Sequence, residues 1–161
     1  LLEAAHWLDQ RGTPMWRDDE LVAEKIALDV GRGEFHLAEC GTDVAGTIKF
    51  QLADPLFWPD VRGADAAFVH RLAVRRSFAG RGVSTALLRW AAETAARLGR
   101  RFLRLDCEAS RPRLRAVYEH FGFRHHSDRS VGPYVVSRYE FDLAELSCAE
   151  WQRSRQMSDK A

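Results

Sequence analysis

Residues 69–91, VHRLAVRRSFAGRGVSTALLRWA, run from an apolar strand pattern through a glycine loop into a helix pattern. A helix that begins near Gly82 leaves its first backbone N–H groups without carbonyl partners and carries a positive dipole end. Gly80 and Gly82 permit positive φ and close approach of a ligand to the backbone. Three arginines flank the loop: Arg75, Arg76 and Arg81. The segment predicts a pyrophosphate-type anion site; the alternative is a simple chain turn with solvated arginines.

Composition narrows the class of protein. The chain has 161 residues, of which 46% are hydrophobic and 29% charged, and a net charge of +1. These values are typical of one folded domain, and they lack the overall basic charge of a dedicated nucleic-acid binder. No apolar run approaches the roughly 18 residues of a membrane span. We therefore expect neither a nucleic-acid partner nor a membrane partner.

The cysteines and histidines indicate no metal site. Cys40, Cys107 and Cys148 form no CxxC pair and no zinc-ligand spacing. His125 and His126, which follow His120, also lack ligand spacing. An odd number of cysteines without a secretion signal favours reduced thiols and a cytoplasmic location.

Periodicity and turn residues predict the order of the elements. Helices are expected over 1–11, 18–30, 83–98 and 110–121, the last N-capped by Ser110. Strands are expected over 34–40 and 45–52 as a hairpin, and over 66–74, 101–109, 122–128 and 133–143. The expected apolar stripe of the third helix is Val83, Ala86, Leu87, Trp90, Ala91, Ala95 and Leu98. This order predicts a mixed α/β sheet with one crossover in its middle.

Two nucleotide-binding motifs compete for the glycine loop. A Walker A loop requires a lysine that this segment lacks. A dinucleotide fingerprint is closer, because Gly80 and Gly82 precede a helix and Asp106 lies at the end of the next predicted strand. Thr85 stands where that fingerprint has its third glycine, and the gap from Val74 to Gly80 is long. A dinucleotide-dependent oxidoreductase therefore remains an alternative.

Two longer stretches carry a family resemblance. FVHRLAVRRSFAGRGVSTALLRWA, followed by LRLDCEASRPRLRAVYEHFGF, resembles the core of the GCN5-related N-acetyltransferase (GNAT) superfamily over about residues 35–143. The resemblance covers the strand, the pyrophosphate loop [QR]-x-x-G-x-[GA] and the later segment N-x-x-[AR]-x-x-x-Y-x-x-x-G-F. Three positions depart from these motifs: Ala79, Ser84 and Arg111.

The resemblance implies an α/β fold with a mixed, mostly antiparallel central sheet, flanking helices and a central β-α-β crossover. It also implies a single acetyltransferase domain over 1–146, whose first strand is expected upstream of residue 1. A polar tail is expected over 147–161.

The same resemblance implies acetyl-CoA as co-substrate and a primary amine as acceptor, with direct transfer in a ternary complex. A small molecule or a peptide could supply the amine, and a homodimer is among the expected assemblies. The implied coenzyme contacts are Leu72, Ala73, Val74, Ala79, Gly80, Arg81, Gly82, Val83, Ser84, Thr85 and Arg111. An N–H of the strand would polarise the thioester carbonyl. A non-catalytic acyl-CoA-binding module is the alternative.

Two residues are the catalytic candidates. Tyr118 occupies the position of the family's tyrosine general acid, and its alternative role is a core side chain with a satisfied hydroxyl. Asp106, in the fourth strand, is the candidate base; an ion pair with Arg71 or Arg104 is its alternative. Proton removal through ordered water is also open. By alternation, Cys107 is a core residue opposite Asp106.

The acceptor pocket is expected to involve Trp16, His70 and the 53–65 loop, including Phe57, Trp58 and Asp60. Acidic groups there would suit a cationic amine, and the pKa of histidine suits a base. The alternatives are packing of the aromatic residues under the loop and a structural strand histidine.

Overall fold

The computed structural model describes residues 1–61 and 64–146. Its helices are α1 (Leu2–Asp9), α2 (Ala23–Gly31), α3 (Val83–Arg97) and α4 (Pro112–Phe121). Its strands are β1 (Phe35–Cys40), β2 (Asp43–Gln51), β3 (Ala66–Val74), β4 (Phe102–Glu108), β5 (Arg124–Val131) and β6 (Tyr134–Asp142). Short 3₁₀ turns cover Asp18–Glu20, Arg76–Phe78 and Leu143–Glu145. The predicted tail and Cys148 lie outside the described residues.

The described strands form one mixed sheet in the order β1-β2-β3-β4-β6-β5. β1 and β2 form the predicted antiparallel hairpin, with Leu37 opposite Thr47. β6 pairs antiparallel with β4 on one side and with β5 on the other. The chain runs from β3 through α3 to β4, which are neighbours in this order. The predicted fold class is confirmed.

The described residues divide into two compact units. The first comprises Leu1–Gln51 and Val69–Arg89, and the second comprises Leu52–Phe68 and the described residues from Trp90 onward. The prediction of a single domain over 1–146 stays a prediction. In the part of the chain that the structure describes, no helix combines the length and hydropathy needed to cross a membrane.

In the first unit, charged side chains tie the helices to the strands. The Lys49 ammonium of β2 lies 2.7 Å from a carboxylate oxygen of Asp29 in α2 and 3.3 Å from one of Glu34. Glu3 of α1 accepts hydrogen bonds from the Arg75 side chain and from the backbone N–H of Arg76. Each of these three carboxylates joins segments that are distant in sequence.

In the second unit, the two faces of β4 and β6 carry different chemistry. One face buries Leu103, Leu105, Cys107, Tyr139 and Phe141, with aromatic residues of and after α4. On the other face, Arg104 lies opposite Glu140 and Asp106 opposite Arg138, because residues paired across an antiparallel ladder share a face. The loop before β3 covers this charged face with Trp58.

Two helix starts differ from the sequence prediction. Residues 18–20 form a 3₁₀ turn, because the carboxylates of Asp19 and Glu20 bond back to Arg17. Ser110 does not cap α4, since its hydroxyl donates to Glu108 at 2.7 Å. The helix begins instead with a proline, whose missing N–H and preset φ suit the first turn.

The buried stripe of α3 is displaced from the predicted one. Buried residues are Leu87, Leu88, Ala91, Ala92 and Ala95. Ala86 is exposed and Leu98 is 51% exposed, so both lie off the stripe. The helical period is as predicted, but the buried face of α3 is centred on the adjacent pairs Leu87–Leu88 and Ala91–Ala92.

Candidate functional site

The glycine loop between β3 and α3 has an open backbone. Gly80 and Gly82 have φ of 76° and 79°, in the left-handed region that glycine adopts without strain. A Cβ atom placed on either residue would meet no other atom within 4 Å. The loop therefore leaves room for a ligand to contact its main chain.

The first turn of α3 supplies hydrogen-bond donors to this space. The backbone N–H of Ala86 bonds to the carbonyl of Gly82 at 2.9 Å, which is the first bond of the helical ladder. The four preceding N–H groups, those of Gly82 to Thr85, have no carbonyl one turn earlier. Together with the positive end of the helix dipole, they favour an anion.

Two of the three flanking arginines are engaged with α1. Arg75 Nε lies 3.1 Å from Glu3, and the Arg76 guanidinium stacks 3.9 Å from the centre of the Trp7 ring. The hydrogen bonds from Arg76 and Arg75 lower the pKa of Glu3. Arg81 is exposed and lies beside the Phe78 ring. Arg81 is thus the flanking arginine whose position best suits an anion at the loop.

The strand leading into the loop is irregular at Arg71, whose φ is +49°. The next three residues continue as strand, and the N–H of Arg75 then bonds to the carbonyl of Ala45. Ala73 is buried, while Leu72 and Val74 are half-buried. Positive φ in a non-glycine residue within a strand marks a local distortion, of the kind that concentrates at binding sites.

A cavity of about 760 Å³ lies in the first unit. Side chains of α1, α2, β1, β2 and the end of β3 line it, and they are mostly apolar. The charged side chains in its lining are Glu3 and Arg75, which are bonded to each other. The cavity therefore suits an apolar group, and its lining supplies no free base.

In the second unit, Tyr118 is buried in α4 and contacts the rings of Phe123 and Tyr139. Burial raises the pKa of its hydroxyl, and the nearby Cys107 and Asp106 raise it further. The phenol is therefore protonated at neutral pH, as a proton donor requires. Cys107 is buried as predicted; burial, followed by the charge of Asp106, raises the pKa of its thiol to about 12.

Asp106 does not end its strand. β4 continues through Glu108, and Asp106 lies half-buried opposite Arg138. Arg104, two residues earlier, donates to Glu140 at 2.7 Å and lies 3.5 Å from Asp65. The strand predicted over 101–109 is observed to within one residue at each end.

Arg111 precedes α4, where its Nε donates to Glu108 at 2.7 Å. The hydrogen bond from the Ser110 hydroxyl, followed by this bond from Arg111, lowers the pKa of Glu108. The guanidinium of Arg111 is therefore held by the end of β4.

The aromatic loop before β3 packs within the second unit. Trp58 is 2% exposed, and the guanidinium groups of Arg138 and Arg104 lie 4.7 and 5.2 Å from its ring. Phe57 packs partly buried against the same cluster. Asp60 is bonded through both carboxylate oxygens to Arg138, and these bonds lower its pKa to about 2. These contacts favour packing, the alternative that the sequence left open for this loop.

Sequence reasoning did not single out Arg138. Its side chain is 6% exposed and donates to Ser127 as well as to Asp60. The sequence feature that could have indicated it is a lone arginine within the mostly apolar part of YVVSRYEFDL. Trp16 and His70, the remaining predicted acceptor residues, are both half-buried in the first unit.

A sequence model described as the Acetyltransferase (GNAT) family matches residues 1–123. The chain belongs to this family. This membership confirms the resemblance that the loop and the segment around Tyr118 carried.

Among GNAT relatives, the chain is 28% identical over 132 residues to an uncharacterized N-acetyltransferase, YesJ, of Bacillus subtilis. That match covers 76% of this chain and 72% of YesJ. A GNAT structure from Listeria monocytogenes has a TM-score of 0.71 at 24% identity, over 87% of this chain and 84% of its own. One from Elizabethkingia anophelis, with acetyl-CoA bound, has a TM-score of 0.61 at 18% identity, over 75% and 83%. These two structural likenesses establish the GNAT fold.

Proposed function

We propose that this GNAT protein is an N-acetyltransferase that moves an acetyl group from acetyl-CoA directly to a primary amine in a ternary complex. The observation that carries the proposal is the open glycine loop at the start of α3. It stands where the family resemblance places the coenzyme diphosphate. An uncovered helix start with two left-handed glycines is suited to such an anion.

The first unit fits the coenzyme chemically. The proposed diphosphate contacts are Ala79, Gly80, Arg81, Gly82, Val83, Ser84 and Thr85, which combine main-chain N–H donors with two hydroxyls and one guanidinium. The backbone of Leu72, Ala73 and Val74 is proposed to hold the pantetheine arm. When bound, acetyl-CoA supplies the activated acetyl thioester. An N–H of this strand would stabilise the negative charge that develops on the thioester oxygen.

The second unit is proposed to carry the proton chemistry. A primary amine has a pKa near 10, so it must lose a proton before it can attack. Asp106 is the proposed base, directly or through an ordered water. Tyr118 is the proposed acid, because its raised pKa keeps a proton available for the leaving thiolate.

The other proposed contacts change with the structure. We keep Trp16 and His70 as proposed acceptor contacts, whereas the loop carrying Trp58 packs inside the second unit. Arg111 remains a proposed coenzyme contact. Because its Nε donates to Glu108, its guanidinium would have to bind Glu108 and the coenzyme at the same time. For location we propose the cytoplasm, where Cys40 and Cys107 would stay reduced. A homodimer stays a prediction, which light scattering after gel filtration would check.

Ligand-induced stabilisation tests the coenzyme site. Acetyl-CoA at 100 times its Kd should stabilise the protein by about 2.7 kcal/mol, whereas NAD should leave the Tm unchanged. Gly82→Ala places a methyl group in the open space and should weaken acetyl-CoA binding by about tenfold or more. Gly33→Ala is the matched control, because Gly33 has a φ of 72° and equally open surroundings. Equal coenzyme binding by the two variants would remove the glycine loop from the proposal.

Thiol release over a panel of amines tests the reaction. Tyr118→Phe should lower kcat by roughly 10²-fold while leaving acetyl-CoA affinity unchanged, since the phenyl ring preserves the packing. An unchanged kcat would exclude Tyr118 as the acid. A wild-type protein that binds acetyl-CoA but releases no thiol with any amine would be a non-catalytic module.

A further inference from the structure

Arg71 occupies a costly position in the middle of β3. Its φ of +49° is in the left-handed region, where a long side chain is disfavoured relative to glycine or asparagine. Strand residues ordinarily have negative φ. An arginine held in this conformation is a candidate for a role that its side chain provides.

The side chain of Arg71 is also incompletely satisfied. Its Nη1 atom is buried and makes no hydrogen bond with any of the described residues. Three other arginines have one such buried nitrogen: Arg100, Arg104 and Arg129. Each of these three has another nitrogen near a backbone carbonyl or a carboxylate. Within the described chain, Arg71 has neither kind of contact.

We propose that Arg71 binds an anionic group, a carboxylate or a phosphate, on the amine acceptor. A guanidinium keeps its charge at every physiological pH, and its planar set of donors matches both oxyanions. Binding would give the buried Nη1 its missing acceptor. The inference rests on the proposed function, because it takes the adjoining residues Leu72–Val74 as the strand that holds the coenzyme arm.

The acceptor is a better source of this anion than the coenzyme. The proposed diphosphate contacts begin at Ala79 and continue into α3. They follow the C-terminal end of β3, whereas Arg71 lies within that strand. Arg71 precedes the proposed pantetheine stretch, so it belongs to the thioester end of the strand. The acceptor amine must approach that end in order to react.

The variants Arg71→Gly and Arg71→Asn test the proposal without endangering the fold, because both residues tolerate positive φ. Arg32→Asn is the control for loss of a charge: Arg32 is 65% exposed and pairs only loosely with Asp29 at 3.7 Å. The acceptors are γ-aminobutyrate, its carboxamide and 3-aminopropylphosphonate. Each variant is compared with wild type on the same compound, which cancels differences in amine pKa.

We expect both Arg71 variants to lose at least tenfold in kcat/KM with the anionic amines and less than twofold with the carboxamide. Arg32→Asn should behave as wild type with all three compounds. A preference of wild type for γ-aminobutyrate or for the phosphonate identifies the oxyanion that Arg71 binds. Equal losses with charged and neutral amines would overturn the proposal in favour of a coenzyme contact. The absence of any loss would overturn it as well.

Failure of the proposed function gives a different result. If wild type consumes no acetyl-CoA with any amine, calorimetry with the same anionic compounds decides the role of Arg71. Heat of binding in wild type that disappears in Arg71→Gly supports the anion site. No heat in wild type overturns it, whatever reaction the protein performs.

Discussion

Gly46 of β2 lies where the sheet and α3 leave no room for a side chain. A Cβ atom there would lie 2.8 Å from the carbonyl oxygen of Ala73, 3.0 Å from Val83 Cγ1 and 3.2 Å from Leu87 Cδ1. The two side chains can rotate away, but the carbonyl belongs to the backbone of β3. Gly46→Ala must therefore displace the strand that we propose to hold the coenzyme.

The cost follows from two opposing terms. Overpacking a close-packed site costs about 1–3 kcal/mol. Replacing glycine by alanine returns about 0.4–1 kcal/mol, because the unfolded chain loses freedom. We expect a net destabilisation of up to about 2.6 kcal/mol, which lowers the Tm by up to roughly 10 °C in a domain of this size.

Urea unfolding of Gly46→Ala, wild type and Gly31→Ala measures this effect. Gly31, the last residue of α2, is the matched control, since its φ is outside the left-handed region and a Cβ there meets no atom within 4 Å. Gly31→Ala should be neutral or more stable by up to about 1 kcal/mol. Acetyl-CoA affinity should fall in Gly46→Ala alone. If Gly46→Ala is as stable as wild type and binds equally well, the close approach to Ala73 is not a real constraint.

Three further predictions concern Asp60, the cysteines and Tyr139. The pKa of Asp60 is about 2 when folded and near 3.8 when unfolded, so its contribution is complete above pH 4 and lost as the pH falls through 2. Wild type should exceed Asp60→Asn in stability by about 1–2 kcal/mol at pH 7, and urea titrations should show this gap narrowing between pH 4 and pH 2; a pH-independent gap would contradict the assignment. In a Cys148→Ser background at pH 8, iodoacetamide should label the exposed Cys40 in the folded protein and should label Cys107 only after unfolding. Mass spectrometry counts the labels in each state. Tyr139→Phe removes the hydroxyl that accepts from Arg115 and donates to Glu119, and should cost about 1–3 kcal/mol of unfolding free energy, whereas an unchanged urea midpoint would mean that water replaces it.

Local patterns predicted the elements around the candidate site closely. The strand predicted over 66–74 is β3 as observed, and the helix predicted to start at Val83 does so. Both follow from interactions within a few residues: alternation of apolar side chains, then glycines that permit left-handed turns. The Tyr118 segment was predictable for the same reason, because a helix period and a terminal Gly122 define it.

Errors arose where a side chain had a choice of partners. Serine is a common N-cap residue, yet the Ser110 hydroxyl bonds to Glu108. The sequence does not indicate that this hydroxyl would bond to Glu108 instead of to the first N–H groups of the helix. For Trp58, the sequence left an acceptor contact and packing under its loop both open. Two arginines of β4 and β6 bury its ring, and their positions depend on strand pairing.

The amino-acid sequence by itself determined the glycine loop, the helix start behind it and the family to which the chain belongs, because each depends on residues close together in the chain. Tertiary structure alone decided which arginines are free to meet a ligand. Arg75 is paired with Glu3, 72 residues away, and Arg71 keeps a buried nitrogen without an acceptor among the described residues. A side chain's partners depend on which distant segments fold against it, and the periodicity of the sequence does not indicate which segments these are.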